Sequence, residues 1–207
     1  MTAYKILKHL AIIALAVCAT ACSHEKKQAK ATAVAEPLSK TIVGSWTTEG
    51  HQEQIDEYLV AGYGQQIVLK ADGTFEMGVV MSISGDMPYE MTTIPVTASF
   101  GAEMSGKYST SNSTLTLVYN ADSVVAHMDP DDVIIDVHED LGNISIDEAR
   151  QELIAQMEAL GLTPEMLSST LKETIKGNGK DVFTNVSVKD DRLQMTLDGS
   201  TTVYIRD

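Results

Sequence analysis

Nine methionines follow Met1, and five of them, at positions 77, 81, 87, 91 and 104, fall in one stretch. Thioether sulfur is a soft donor suited to copper(I). Met77 and Met81, however, alternate with Phe75 and Val79, which places all four on one apolar strand face where flexible Met side chains serve as core filler. The acidic run His127-Met128-Asp129-Pro130-Asp131-Asp132 offers the oxygen ligands that calcium takes. No Gly stands at the sixth position after Asp129 and Asp140 stands where a closing Glu belongs, so an EF-hand is excluded and a solvated loop is expected. His127 and His138 have no third ligand at a zinc spacing. Ser169-Thr170-Leu171-Lys172 fits a Ser-x-x-Lys nucleophile pattern, yet neither of its usual companion triplets, Ser-Asp-Asn or Lys-Thr-Gly, occurs. Ser169 and Lys172 therefore read as the wet side of a helix. Gly177-Asn178-Gly179-Lys180 follows a helical pattern instead of preceding one, so it reads as a helix stop and turn, and Gly62-Tyr63-Gly64 reads as a loop. No reaction, metal or cofactor follows from these residues, and the expectation is a protein that is not an enzyme.

The covalent chemistry that the sequence does point to lies at Cys22. Lys5 and Lys8 precede an unbroken small and apolar run from Leu10 to Ala21, the pattern of a secretory leader. Such a run makes about 18 Å of helix at roughly 1.5 Å per residue, well short of the ~30 Å hydrocarbon core, so it does not read as a membrane span. Ala19-Thr20-Ala21-Cys22 resembles a bacterial lipobox, and the resemblance implies cleavage before Cys22 and acylation there. This divides the chain into a leader (1–21), a lipidated tether (22–40) and a body (41–207). Cys18 lies in the removed segment and Cys22 is acylated, leaving no cysteine for a disulfide. Three acyl chains anchor durably where one alone does not. Ser23, in place of Asp, favours the outer membrane of a Gram-negative cell envelope, in either leaflet.

Length and charge agree with such a destination. The 207 residues allow one domain of ordinary size, and a formal charge of −14 repels a phosphate backbone, so nucleic acid is not expected as a partner. Hydrophobic content of 43% is that of a globular chain, whereas 5% aromatic is thin. The tether carries four lysines against two glutamates, and the acidity sits in the body. A basic tether is drawn to anionic headgroups while an acidic body is held off them.

From Thr41 onward the dominant period is two. Phe75, Met77, Val79, Met81 and Ile83 alternate with Glu76, Gly78, Val80, Ser82 and Ser84, which predicts a strand buried on one face. Asp72-Gly73 predicts the tight turn that joins it to Gln66–Lys70. Gly85-Asp86 predicts a reversal into Tyr89–Phe100, and a slip in the alternation near Thr93–Pro95 predicts a bulge or an edge position. Further strands are expected at Gly106–Thr110, Thr114–Asn120, Val133–His138, Val182–Lys189, Arg192–Asp198 and Thr201–Arg206. Between them, Ser145-Ile146-Asp147-Glu148 forms a capping box ahead of Ala149, Leu153, Met157 and Leu160. Thr163-Pro164 opens a second helix with Leu167, Leu171 and Ile175 on one face, ending near Gly177. The expected fold is mainly β: an antiparallel up-and-down meander closing into a barrel, with a helical hairpin inserted at about 145–177, before the last three strands. The hairpin is expected to cover an open end or a seam of that barrel.

Gly44-Ser45-Trp46 matches the Gly-x-Trp motif of lipocalins. Together with Leu69-Lys70-Ala71-Asp72-Gly73-Thr74-Phe75, Gly106-Lys107-Tyr108 and Thr114-Leu115-Thr116-Leu117, in that order, it resembles the lipocalin-like (calycin-like) lipoproteins of Bacteroidetes. The resemblance implies that Trp46 closes the barrel floor and that Arg206 lies across it. It also implies a cup able to hold a small apolar molecule, whose wall would be Phe75, Met77, Val79, Met81, Met91, Leu115, Leu117 and Tyr119. The same residues would equally fill a solid barrel. Two partners are therefore carried forward besides the membrane at Cys22: a small apolar ligand, or an envelope protein docked on the helical pair or a strand edge.

Overall fold

The computed structural model describes residues 38–54, 59–89, 92–128, 130–135, 145–159 and 163–207. The leader, Cys22, most of the tether, Met91, His138 and Asp140 lie outside the described residues.

The architecture grows from one long ribbon. β3 (Leu59–Leu69), β4 (Thr74–Tyr89) and β5 (Thr92–Ser111) pair antiparallel in sequence order. Asp72 fixes the first turn by accepting from the Thr74 backbone N–H at 2.9 Å and its hydroxyl at 2.6 Å, bonds that also hold the carboxyl below its usual pKa. One expectation fails along this ribbon and one is met in half. The chain does not reverse at Gly85-Asp86, because Gly85 pairs with Val96 and Asp86 with Pro95 in an unbroken ladder. Of the bulge or edge expected at Thr93–Pro95, the bulge is absent, while among the described residues these three pair on the β4 side alone, as an edge does; the irregularity falls between Glu103 and Ser105, where β5 meets β6 (Thr114–His127). Gly106–Thr110 is thus the end of β5, Gly62-Tyr63-Gly64 lies inside β3, and His127 sits in a strand instead of a loop. Cross-strand pairing over a long ladder outweighs a local turn signal.

β1 (Gly44–Thr48), β8 (Lys180–Lys189), β9 (Arg192–Leu197) and β10 (Ser200–Arg206) complete the barrel. The order β1-β10-β9-β8-β6-β5-β4-β3 returns to β1, which pairs with both β10 and β3, so eight antiparallel strands close into a barrel and leave no free edge around it. β2 (His51–Gln54) continues beside β3 beyond β1, and β7 (Val133–Ile135) pairs with β5 beyond the reach of β6.

Leu38–Thr41 forms a helical turn, α1, since Leu38 packs against the barrel core and its carbonyl accepts from the Ile42 N–H at 3.0 Å. α2 (Ile146–Ala159) and α3 (Pro164–Asn178) lie before the last three strands. Ser145 and Glu148 cap α2 reciprocally, and Thr163 caps α3 through the Met166 N–H. α3 runs through Gly177 and ends at Gly179, whose positive φ of 69° and N–H bond to the Ile175 carbonyl make it the cap.

The helical pair does not sit on a barrel seam. The face of β5 that lines the barrel carries on past it as Val96, Ala98 and Phe100, and there Ala149, Leu153 and Met157 of α2 pack on it with Val133 and Ile135 of β7. This forms a second apolar core distinct from the barrel interior. α3 packs along the part of β6 that β8 does not reach, and the Ser168 hydroxyl accepts from the Ala126 N–H at 2.7 Å. A helix thereby covers a strand edge that would otherwise stand open.

Candidate functional site

One end of the barrel is sealed by Trp46 and Arg206. At the sealed end, Trp46 is fully buried, and its indole N–H donates to the Ile42 carbonyl at 2.7 Å. The Arg206 guanidinium stacks over the ring with its carbon 4.1 Å from the ring centre. It also donates to the Thr41 and Val43 carbonyls, each at 3.1 Å, and its Nε lies 3.2 Å from an Asp191 carboxylate oxygen. Arg206 is half-exposed while Trp46 is not, so the cation forms the outer layer of the floor and the indole the inner one. Gly44 permits this approach, because a Cβ there would stand 2.5 Å from Arg206 Nη1. Tyr108 tightens the same end by donating its hydroxyl to the Lys70 carbonyl at 2.7 Å.

Seven of the eight proposed wall residues come together on the inner face: Phe75, Met77, Val79, Met81, Leu115, Leu117 and Tyr119. Met91 lies outside the described residues. Their burial changes along the barrel axis. Phe75, Leu115 and Leu117, near the floor, are fully buried, as are Ile67, Leu193 and Met195. One and two steps further up β4, Met77 and Val79 keep 7% and 9% of their surface exposed, and Met81, Tyr119, Met104 and Leu197 are each partly exposed. Burial is thus complete at Phe75, Leu115 and Leu117 and partial at Met81, Met104, Tyr119 and Leu197.

The inner face also carries polar groups. Tyr204 donates to the Gln65 side-chain oxygen at 2.8 Å, and burial pushes its phenol above the usual pKa. Tyr119 stands edge-on to Phe75, with ring centres 5.3 Å apart, and its hydroxyl donates to Asp181 at 2.7 Å. Asp181 pairs directly opposite Leu117, which puts its carboxylate on the inner wall. Burial raises its pKa most, the Tyr119 bond opposes that, and the charge of Asp198 adds to it. The sequence reading missed Asp181, Met104 and Leu197. The phase of Asp181 with Phe183 is the signal for it, but the β8–β9 register shifts between Thr184 and Ser187, around Asn185 at φ 53°, and moves the later valines of β8 into the opposite parity.

The remaining motifs lie apart from this cup. Ser169 is exposed on α3 and Lys172 half-buried there. The His127 ring lies over Gly101 on the outer face. Among the described residues, no group of three or more His, Cys, Asp or Glu converges on a point. The eight-stranded closed antiparallel barrel is compatible with a lipocalin-like fold. No protein-family model matches the chain, and no curated protein matches it.

Proposed function

We propose that this chain is a lipid-anchored, non-catalytic binding protein of the bacterial cell envelope, related to the lipocalin-like lipoproteins of Bacteroidetes, that holds a small apolar molecule in its barrel. The supporting observation is the burial gradient of the inner wall, fully packed at Phe75 and Leu117 and only partly buried at Met81 and Met104. An apolar surface kept in contact with water inside a closed barrel gains about 25 cal/mol for each Å² that a ligand covers. Docking through the apolar stripe of the helical pair is less well supported, since Ala149, Leu153 and Met157 already spend that face on the second core. The anchor rests on the lipobox-like Ala19-Thr20-Ala21-Cys22. Cells fed labelled palmitate are expected to mark the full chain and not Cys22→Ala; equal labelling of both overturns the anchor.

All ten strands and both cores lie within residues 38–207, so a fragment from Ser23 to Asp207 retains the whole fold. This fragment is expected to bind the neutral dye N-phenyl-1-naphthylamine with a rise in fluorescence. Val79→Trp, which fills the cup, should abolish the rise while leaving the circular dichroism spectrum intact. Absence of dye uptake by the unsubstituted fragment, together with an envelope protein that co-purifies in fixed ratio, would replace the carrier reading with a docking one.

A further inference from the structure

We propose that the ligand is an amphiphile whose head is a cationic amine, held by Asp181 on the inner wall of the barrel, and not a fatty carboxylate. The inference rests on the binding reading above and adds the chemistry of the ligand to it. Its basis is the charge distribution of the inner wall. On the inner face of the eight barrel strands above Trp46, Asp181 is the only ionisable acid or base of the usual range among the described residues; beyond β1, His51 and Glu53 of β2 stand opposite Tyr63 and Ala61 on the same sheet face. The one inward cation, Arg206, lies outside the indole and is engaged by two carbonyls and Asp191. A carboxylate head placed beside Asp181 would therefore meet a like charge and, within the eight barrel strands, no cation inward of the indole. Two half-buried like charges repel more strongly than two in water, because the medium around them is less polarisable.

Asp181 is also positioned to receive a donor. One of its oxygens accepts from Tyr119, whose ring is braced against Phe75, so the carboxylate is held on a fixed platform of the inner wall. A purely apolar ligand covering this wall would strip water from the carboxylate and give nothing in return, which is costly for an ion. An ammonium head reverses that cost by a charge-assisted hydrogen bond, while its alkyl tail lies down the wall formed by Val79, Met77 and Met104. The charge of Asp198 in the β9–β10 turn acts on Asp181 and draws a cation toward the same carboxylate.

The test is displacement of N-phenyl-1-naphthylamine from the Ser23–Asp207 fragment at neutral pH by two ligands of equal chain length, decylamine and decanoate. Decylamine is expected to displace the dye at a concentration about ten-fold or more below that of decanoate, and Asp181→Asn should erase most of this difference while binding the dye as before. A fragment that takes up no dye overturns the binding reading and this inference with it. Dye uptake with decanoate equal to or better than decylamine overturns this inference alone, and so does a preference for decylamine that persists in Asp181→Asn.

Discussion

Trp46→Ala should lower the unfolding free energy of the Ser23–Asp207 fragment by about 3 to 5 kcal/mol, the range for removing a large aromatic side chain from a core. That is a large share of the ~5–15 kcal/mol that holds a domain of this kind together. Three losses combine at this one position. The indole volume disappears from a fully buried site, the Ile42 carbonyl loses the 2.7 Å bond from the ring N–H, and Arg206 loses the face it covers. Urea unfolding followed by circular dichroism measures the total. Trp46→Phe should cost clearly less, since it keeps most of the apolar volume and gives up the N–H bond. A double-mutant cycle of Trp46→Phe with Arg206→Met isolates the stacking, expected at about 0.5 to 2 kcal/mol. A cost for Trp46→Ala no greater than that of an exposed substitution would mean that the floor does not close the barrel.

Gly106→Ala should be as damaging, by about 3 kcal/mol or more, although it adds a single methyl group. A Cβ built there would overlap the Val118 carbonyl oxygen of the neighbouring strand and stand 2.7 Å from the Phe75 ring. The obstacle is backbone on one side, so no side-chain rotation relieves it, and relief requires β5 and β6 to part or Phe75 to leave its place against Tyr119. Gly64→Ala is the matched control, because nothing lies within 4 Å of a Cβ at that position. It should change the urea midpoint little. If both alanines behave alike, the close approach of β6 to β5 at this point is not a determinant of stability.

How much of this could be read beforehand differs from element to element. The alternation from Phe75 to Ile83 specifies a buried face directly, and the capping pairs Ser145 with Glu148 and Thr163 with Met166 mark both helix starts because capping chemistry is local. Trp46 and Arg206 were brought to notice by a resemblance to other chains, and the ladder places them opposite one another. Gly85-Asp86 misled because a dipeptide carries only its own turn preference, while the outcome depended on Val96 and Pro95 being available across the ribbon. The second core escaped notice for a related reason. Val96, Ala98 and Phe100 announce a buried face, but nothing in their spacing says that the barrel has ended and that α2, more than forty residues further along the chain, will cover them. Gly106 was visible only as part of a motif, since a missing side chain does not disclose which neighbour needs the room.

The ladder between Trp46 and Arg206 joins the two extremities of the folded body, and this governs when the molecule can be finished. Neighbouring strands from β3 to β6 can pair while synthesis is still under way, because each hairpin closes a short loop. β1 can lie down early on β3 as well. Its other edge, however, stays bare until Ser200–Arg206 arrive as β10 and bring the guanidinium with them. The ring is therefore sealed by a contact of high sequence separation, of the kind that slows folding. A chain cut short before Ser200 would keep its ribbon and its helices, yet would present an unpaired strand beside an uncovered indole to every neighbour it meets.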